Sequence, residues 1–90
     1  MPSYLVETYL ARCHADRRAA HEARARSAAE ELTRAGTRVT FGGVIHVPED
    51  ETCFFMFGAP SEPDAISVAR LAGLDPARVV EAVTSGEERP

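Results

Sequence analysis

Residues 38–58 read RVTFGGVIHVPEDETCFFMFG. Two β-forming runs flank the polar turn Pro48-Glu49-Asp50-Glu51, so the segment predicts a hairpin. The first run covers Arg38 to Val47 and is broken by Gly42-Gly43, the mark of a bulge or a close backbone approach. The second run, Thr52 to Gly58, is apolar at five consecutive positions, Cys53 to Phe57. A strand of that kind needs cover on both faces. A four-residue loop would pair Val47 with Thr52 and His46 with Cys53.

Outward from the hairpin, each side offers one helix and one strand. Tyr4 to Ala11 (YLVETYLA) is rich in β-formers. His14 to Ala35 is a long run of Ala, Arg and Glu, all strong helix formers, with Ala25, Ala28, Leu32 and Ala35 on one stripe. Glu22–Arg26 and Glu30–Arg34 are favourable i,i+4 pairs. Gly36 supplies the left-handed stop. After the hairpin, Ser61 caps a second helix, with Asp64 three residues on and Pro63 in the first turn. Its stripe is Ala65, Val68, Ala69 and Ala72, and Gly73 ends it. Arg78 to Thr84 is the last strand.

The order β-α-β-β-α-β, with right-handed crossovers, predicts an α+β, ferredoxin-like sandwich. The sheet is antiparallel in the order 4-1-3-2, with both helices on one face. The expected organisation is a single domain over residues 1–84 and a flexible tail over 85–90. The sheet's other face needs a cover, and a second copy of the chain is the simplest one. A homodimer with a cavity between its sheets is therefore expected. A chain of 90 residues buries roughly 60–65% of its unfolded surface, and dimerisation adds to a thin core.

The charge count excludes some functions. All ten basic residues are Arg and there is no Lys, against fourteen acids, for a net charge of -4. Without Lys there is no imine chemistry, no pyridoxal-phosphate attachment and no phosphate-loop lysine. The acidic balance argues against a nucleic-acid partner. No apolar run approaches the ~20 residues a membrane span needs. The first residues lack the pattern of a secretory signal. Two cysteines, Cys13 and Cys53, then fit free thiols in a cytoplasmic protein.

Period-two alternation places side chains on the two faces. An acid fits poorly under helices, so Glu7 and Tyr9 are expected on the open face, with Glu81 beside Glu7 on the neighbouring strand, within about 5–8 Å. His46, Cys53, Phe55 and Phe57 are expected on that same open face, and Ile45, Phe54 and Met56 against the helices. Two close carboxylates suit acid/base work or a cation. His46 lies roughly 14 Å from Glu81 across three strand spacings, so only a dimer partner or a long ligand would join them. His14 and His21 sit two turns apart, about 10.5 Å, on one side of the first helix. They are two further candidate metal ligands, or simply line the helix–sheet edge.

Val47-Pro48-Glu49-Asp50-Glu51-Thr52-Cys53-Phe54-Phe55, Ala59-Pro60-Ser61, Gly73-Leu74 and Val80-Glu81-Ala82-Val83 follow one another in a distinctive order. With Tyr4-Leu5-Val6-Glu7, they make a chain that resembles a bacterial family of small ferredoxin-like domains of unknown function, nickel-binding-protein-like. The resemblance spans about Tyr4 to Val83. It implies a ferredoxin-like dimer that binds nickel in one branch, and it carries over onto Glu7, Cys53, Glu81 and His46.

Three functions follow as expectations. The first is a small homodimeric binding protein. It would hold nickel, another divalent transition metal or a small ligand in a sheet-lined cavity. Its ligand-binding residues are Glu7, Tyr9, His46, Cys53, Phe55 and Glu81, and its metal ligands come from His46, Glu7, Glu81, His14 and His21. The second is a cofactor-independent enzyme using the same cavity, with His46 or the Glu7–Glu81 pair as general acid or base on a small aromatic or polyketide-like substrate. The third is an interaction module with no site.

Overall fold

The computed structural model describes residues 1–83. Strand β1 spans Ser3–Tyr9, helix α1 Arg18–Arg34, β2 Thr40–Val47, β3 Thr52–Gly58, α2 Glu62–Leu71 and β4 Pro76–Ala82. Short 3-10 helices cover Arg12–Arg17 and Pro48–Asp50. The strands form one antiparallel sheet in the order β2-β3-β1-β4. This is the predicted order, and it is compatible with a ferredoxin-like fold.

The hairpin register is also as expected, with Val47 opposite Thr52 and His46 opposite Cys53. The break at Gly42-Gly43 is a bulge: Phe41 faces Phe57, but Gly43 faces Met56. Gly42 has a packing reason to lack a side chain, because a Cβ there would lie 3.3 Å from the Met56 thioether.

Both helices end as their glycines predict. After α1 the Thr37 amide donates to the Leu32 carbonyl and the Gly36 amide to Thr33. After α2 the Leu74 amide donates to Ala69 and the Gly73 amide to Arg70. These are paired Schellman bonds, with Gly36 at φ 107° and Gly73 at φ 78°. At the other end of α2 the Asp64 amide donates to the Ser61 hydroxyl, which itself donates to the Asp64 carboxylate.

The start of α1 differs from expectation. The stretch from Arg12 to Arg17 is a 3-10 turn, and His14 leaves helical geometry altogether. The cause is a tether. Glu51 holds a left-handed conformation at φ 50°. Its carboxylate accepts from the Arg12 amide at 2.8 Å, and its carbonyl accepts from the Leu10 amide at 2.8 Å. That clamp ends β1 at Tyr9 and fixes the chain's exit, so the regular helix starts only at Arg18. β4 begins two residues earlier than expected, at Pro76, because a strand's first position tolerates proline. Its predicted last residue, Thr84, lies outside the described residues, as does the tail over 85–90.

The core joins Tyr4, Val6, Cys53, Phe55 and Phe57 to Ala25, Ala28 and Ala29 of α1 and Ala65, Val68 and Ala69 of α2. Alanine-lined helices let large sheet residues meet the helix backbone. Burying Phe55 and Phe57 contributes roughly 1.5–3 kcal/mol each. Phe41 closes the β2 edge, with its ring 5.5 Å from Phe57 and the Arg26 guanidinium 5.4 Å from its centre.

The face assignment of β3 is corrected. Cys53, Phe55 and Phe57 are in the core, while Phe54 and Met56 are half-buried on the other face. Directly opposed residues point the same way, and β1 sets Tyr4 against Phe57, Val6 against Phe55 and Thr8 against Cys53. Because Tyr4, Val6 and Thr8 are buried, their partners are buried with them. His46, opposite Cys53, follows to the core side, and Ile45 turns out. Five apolar residues in a row carry no alternation, so β3 had to take its face from β1.

The same correction applies to β4. Glu81 faces Tyr4 and Val80 faces Leu5, while Val79 packs against the core opposite Val6. Glu81 is therefore on the Tyr4 side of the sheet, not beside Glu7.

Candidate functional site

The predicted cluster divides between the two faces. Glu7 and Tyr9 are on the open face, as expected. Glu7 is half-buried with Arg78 opposite it on β4, and Tyr9 is 70% exposed. His46, Cys53, Phe55 and Glu81 lie on the other side. The Glu7–Glu81 carboxylate pair does not form, because the sheet stands between them. Glu81 instead acts on Tyr4, whose phenol is held above its ordinary pKa by burial, then by Glu81, Glu62 and Asp64. His46 has its Nε2 buried with no hydrogen-bond partner among the described residues. His14 is exposed in the 3-10 turn. Among the described residues, no three His, Cys, Asp or Glu side chains come together to hold a metal ion.

What the fold does bring together is a cavity of about 240 Å³. Thr8, Tyr9 and Leu10 contribute from β1 and its exit, Cys53 and Phe55 from β3, and His21 from α1. Gly73, Leu74 and Asp75 complete it from the loop between α2 and β4. Four sequence-predicted residues thus meet here after all: Tyr9, Cys53, Phe55 and His21.

The lining is mainly apolar, with a few fixed polar groups. The Thr8 hydroxyl donates to the Cys53 carbonyl at 3.3 Å. Burial pushes the Cys53 thiol's pKa up, so the sulfur is protonated at neutral pH. The Tyr9 hydroxyl donates to the Glu51 carboxylate at 3.4 Å, and that charge, first among the causes, raises the phenol's pKa. His21 is half-buried. The Arg24 Nη2 lies 2.6 Å from its Nδ1, and the Arg24 Nε donates to the Ala72 carbonyl at 3.2 Å. Burial lowers the His21 pKa, with Arg24 and Arg17 adding to the effect.

Sequence reasoning missed Thr8, Leu10, Leu74 and Asp75. A signal was present. The core-side residues of β1 and β3 shrink along the sheet, from Tyr4–Phe57 through Val6–Phe55 to Thr8–Cys53. Small side chains at one end leave the gap between sheet and helices unfilled.

No family model, curated protein or solved structure matches this chain. Among the described residues, no helix is long and apolar enough to cross a membrane.

Proposed function

We propose that this protein binds a small organic molecule in the cavity between the β1–β3 end of the sheet and α1, and that it works as a homodimer. The observation that carries the binding reading is the cavity itself: about 240 Å³, walled by Leu10, Phe55 and Leu74, with His21, Thr8 and Asp75 as polar points. Mainly apolar walls with a few fixed polar groups are the usual composition of a ligand site. An engineered apolar cavity of about 150 Å³ accepts benzene, so this one suits a ligand of roughly ten non-hydrogen atoms. Of the two ligand types expected from sequence, a metal ion has less support, since no three donors converge among the described residues.

The dimer reading has a separate support. With the helices packed on the Cys53–Phe57 side, the opposite face presents Leu5, Phe54, Met56 and Val80, half-buried, and Ile45, which is 55% exposed. A second sheet would cover them. The two free cysteines suit the cytoplasm.

Acetophenone is a suitable probe, titrated against protein labelled for amide spectra. The expected result is saturable shifts at Leu10, Cys53, Phe55 and Leu74, abolished when Cys53→Phe fills the cavity. Absence of shifts in the unsubstituted protein rejects the binding reading. Calorimetry with Ni(II) and Zn(II) on tag-free protein tests the metal version, which a saturable heat would restore. Light scattering tests the dimer, and a monomer mass at micromolar protein rejects it.

A further inference from the structure

We infer that Arg24 locks His21 as a neutral Nε2–H donor, and that the cavity selects a neutral, largely apolar ligand presenting a carbonyl-type acceptor to that nitrogen. The inference deepens the binding reading above and rests on it.

The first step is which nitrogen holds the proton. A guanidinium has donors and no acceptor. At 2.6 Å from Arg24 Nη2, the His21 Nδ1 must therefore accept. In a neutral imidazole the other nitrogen, Nε2, then carries the hydrogen. Protonating Nδ1 would set two donors against each other and break the bond.

The second step is why Arg24 holds its place. Its Nε donates to the carbonyl of Ala72, the C-cap of α2. The guanidinium is thus pinned to one helix end while it orients a side chain on the other helix. Gly73 follows directly, and a Cβ there would lie 3.8 Å from the Arg24 Nε. The clamp connects the wall of the cavity made by α1 to the wall made by the α2–β4 loop.

The third step is what His21 can do. Its Nδ1 is occupied, and it lines the cavity. The residue is half-buried and lines the cavity, so the nitrogen not engaged by Arg24 is the donor it offers to a ligand there. The pKa, lowered by burial first and then by the Arg24 and Arg17 charges, agrees with a ring that stays neutral. Those cations disfavour a cationic ligand, and Asp75 on the lining disfavours an anionic one. A neutral carbonyl compound satisfies both. Arg24 is a positioning residue in this scheme and touches no ligand.

The test compares acetophenone, which has the acceptor, with ethylbenzene, which lacks it, on the full chain. Long-range proton–nitrogen spectra of the histidine rings report the tautomer without any variant. The expected result is an Nε2–H tautomer for His21. Acetophenone should bind roughly three- to tenfold tighter than ethylbenzene, the ratio one neutral hydrogen bond supplies. His21→Phe should bring the two probes together, and Arg24→Met should mix the tautomers. Equal binding of both probes to the unsubstituted protein overturns the inference while leaving the cavity a binding site. An Nδ1–H tautomer overturns the role of Arg24. Failure of both probes to bind removes the binding reading, and the ligand selection with it.

Discussion

Phe54 and Phe55 are adjacent phenylalanines on opposite faces of β3, and truncating each in turn tests the corrected face assignment. Phe55 is 1% exposed and inside the core. Replacing it with Ala removes most of the ring's burial and leaves a cavity, at a cost of about 3–5 kcal/mol. A domain of this size is stable by only about 4–13 kcal/mol in total, so Phe55→Ala should come close to unfolding. Phe54 is half-buried on the open face. Phe54→Ala should cost about 1 kcal/mol, around half of what full burial contributes. Urea unfolding followed by circular dichroism measures both, with Phe55→Leu as a milder variant should the alanine fail to fold. Protein concentration separates the dimer's share. If a second copy covers the open face, Phe54→Ala becomes costlier as concentration rises, because association stabilises only the folded chain. A Phe54→Ala cost above that of Phe55→Ala at low concentration would refute the face assignment and the cavity built on it.

The remaining predictions are smaller in scale. Ser61→Ala removes the hydroxyl that accepts from the Asp64 amide and should cost about 1 kcal/mol in thermal unfolding. Gly36 sits at φ 107°, and a Cβ there would meet nothing within 4 Å, so Gly36→Ala should cost roughly 1–2 kcal/mol in the same assay through backbone conformation alone. The His21 pKa lies below its ordinary 6.5 in the folded chain, so the unfolded chain binds more protons in between. Stability should be full above about pH 6.5 and decline on acidification from there to the folded pKa, a slope that His21→Phe removes in pH-dependent urea titrations. Exposed Cys13 should alkylate quickly and Cys53, buried and held protonated by its raised pKa, far more slowly, which mass spectrometry after an iodoacetamide pulse can check.

The legible parts of the fold were those with a local cause. Gly36, Gly73 and Ser61 mark helix ends by their own conformational chemistry, and each sits where the chain predicts. The Val47–Thr52 and His46–Cys53 pairing followed from loop length. What failed was non-local. The pairing of β1 with β3 and β4 is made across helices, and no turn fixes its register. Between Glu7 and Thr8 the β4 pairing also shifts by one residue, from Arg78 to Pro76. A one-residue change in register moves a side chain to the other face. Glu81 was expected beside Glu7 for a different reason, that an acid fits poorly under helices; opposite Tyr4, near the end of β4, it lies on that side yet stays exposed. The Glu51 clamp was equally invisible, because its three contacts reach across 39 to 42 residues or join two loops.

The same long-range pairing explains why a cavity forms at this end of the molecule and not the other. At the Tyr4–Phe57 end, two aromatic rings fill the space beneath the helices, and Phe41 adds a third against Phe57. At the Thr8–Cys53 end, β1 and β3 offer only a hydroxyl and a thiol, with His46 beyond them on β2. The helices cannot collapse into the gap, because two ties hold that end open. Glu51 anchors the exit of β1 and the amide of Arg12, which fixes where α1 begins. Arg24 bridges α1 to the end of α2 through the Ala72 carbonyl. A core that could relax would close over Thr8 and Cys53 and recover the lost dispersion contacts. Cutting the Arg24 tie should therefore shrink the cavity before it unfolds the chain. In Arg24→Met, acetophenone affinity should fall by more than urea stability does, and a loss confined to stability would show that the tie serves folding alone.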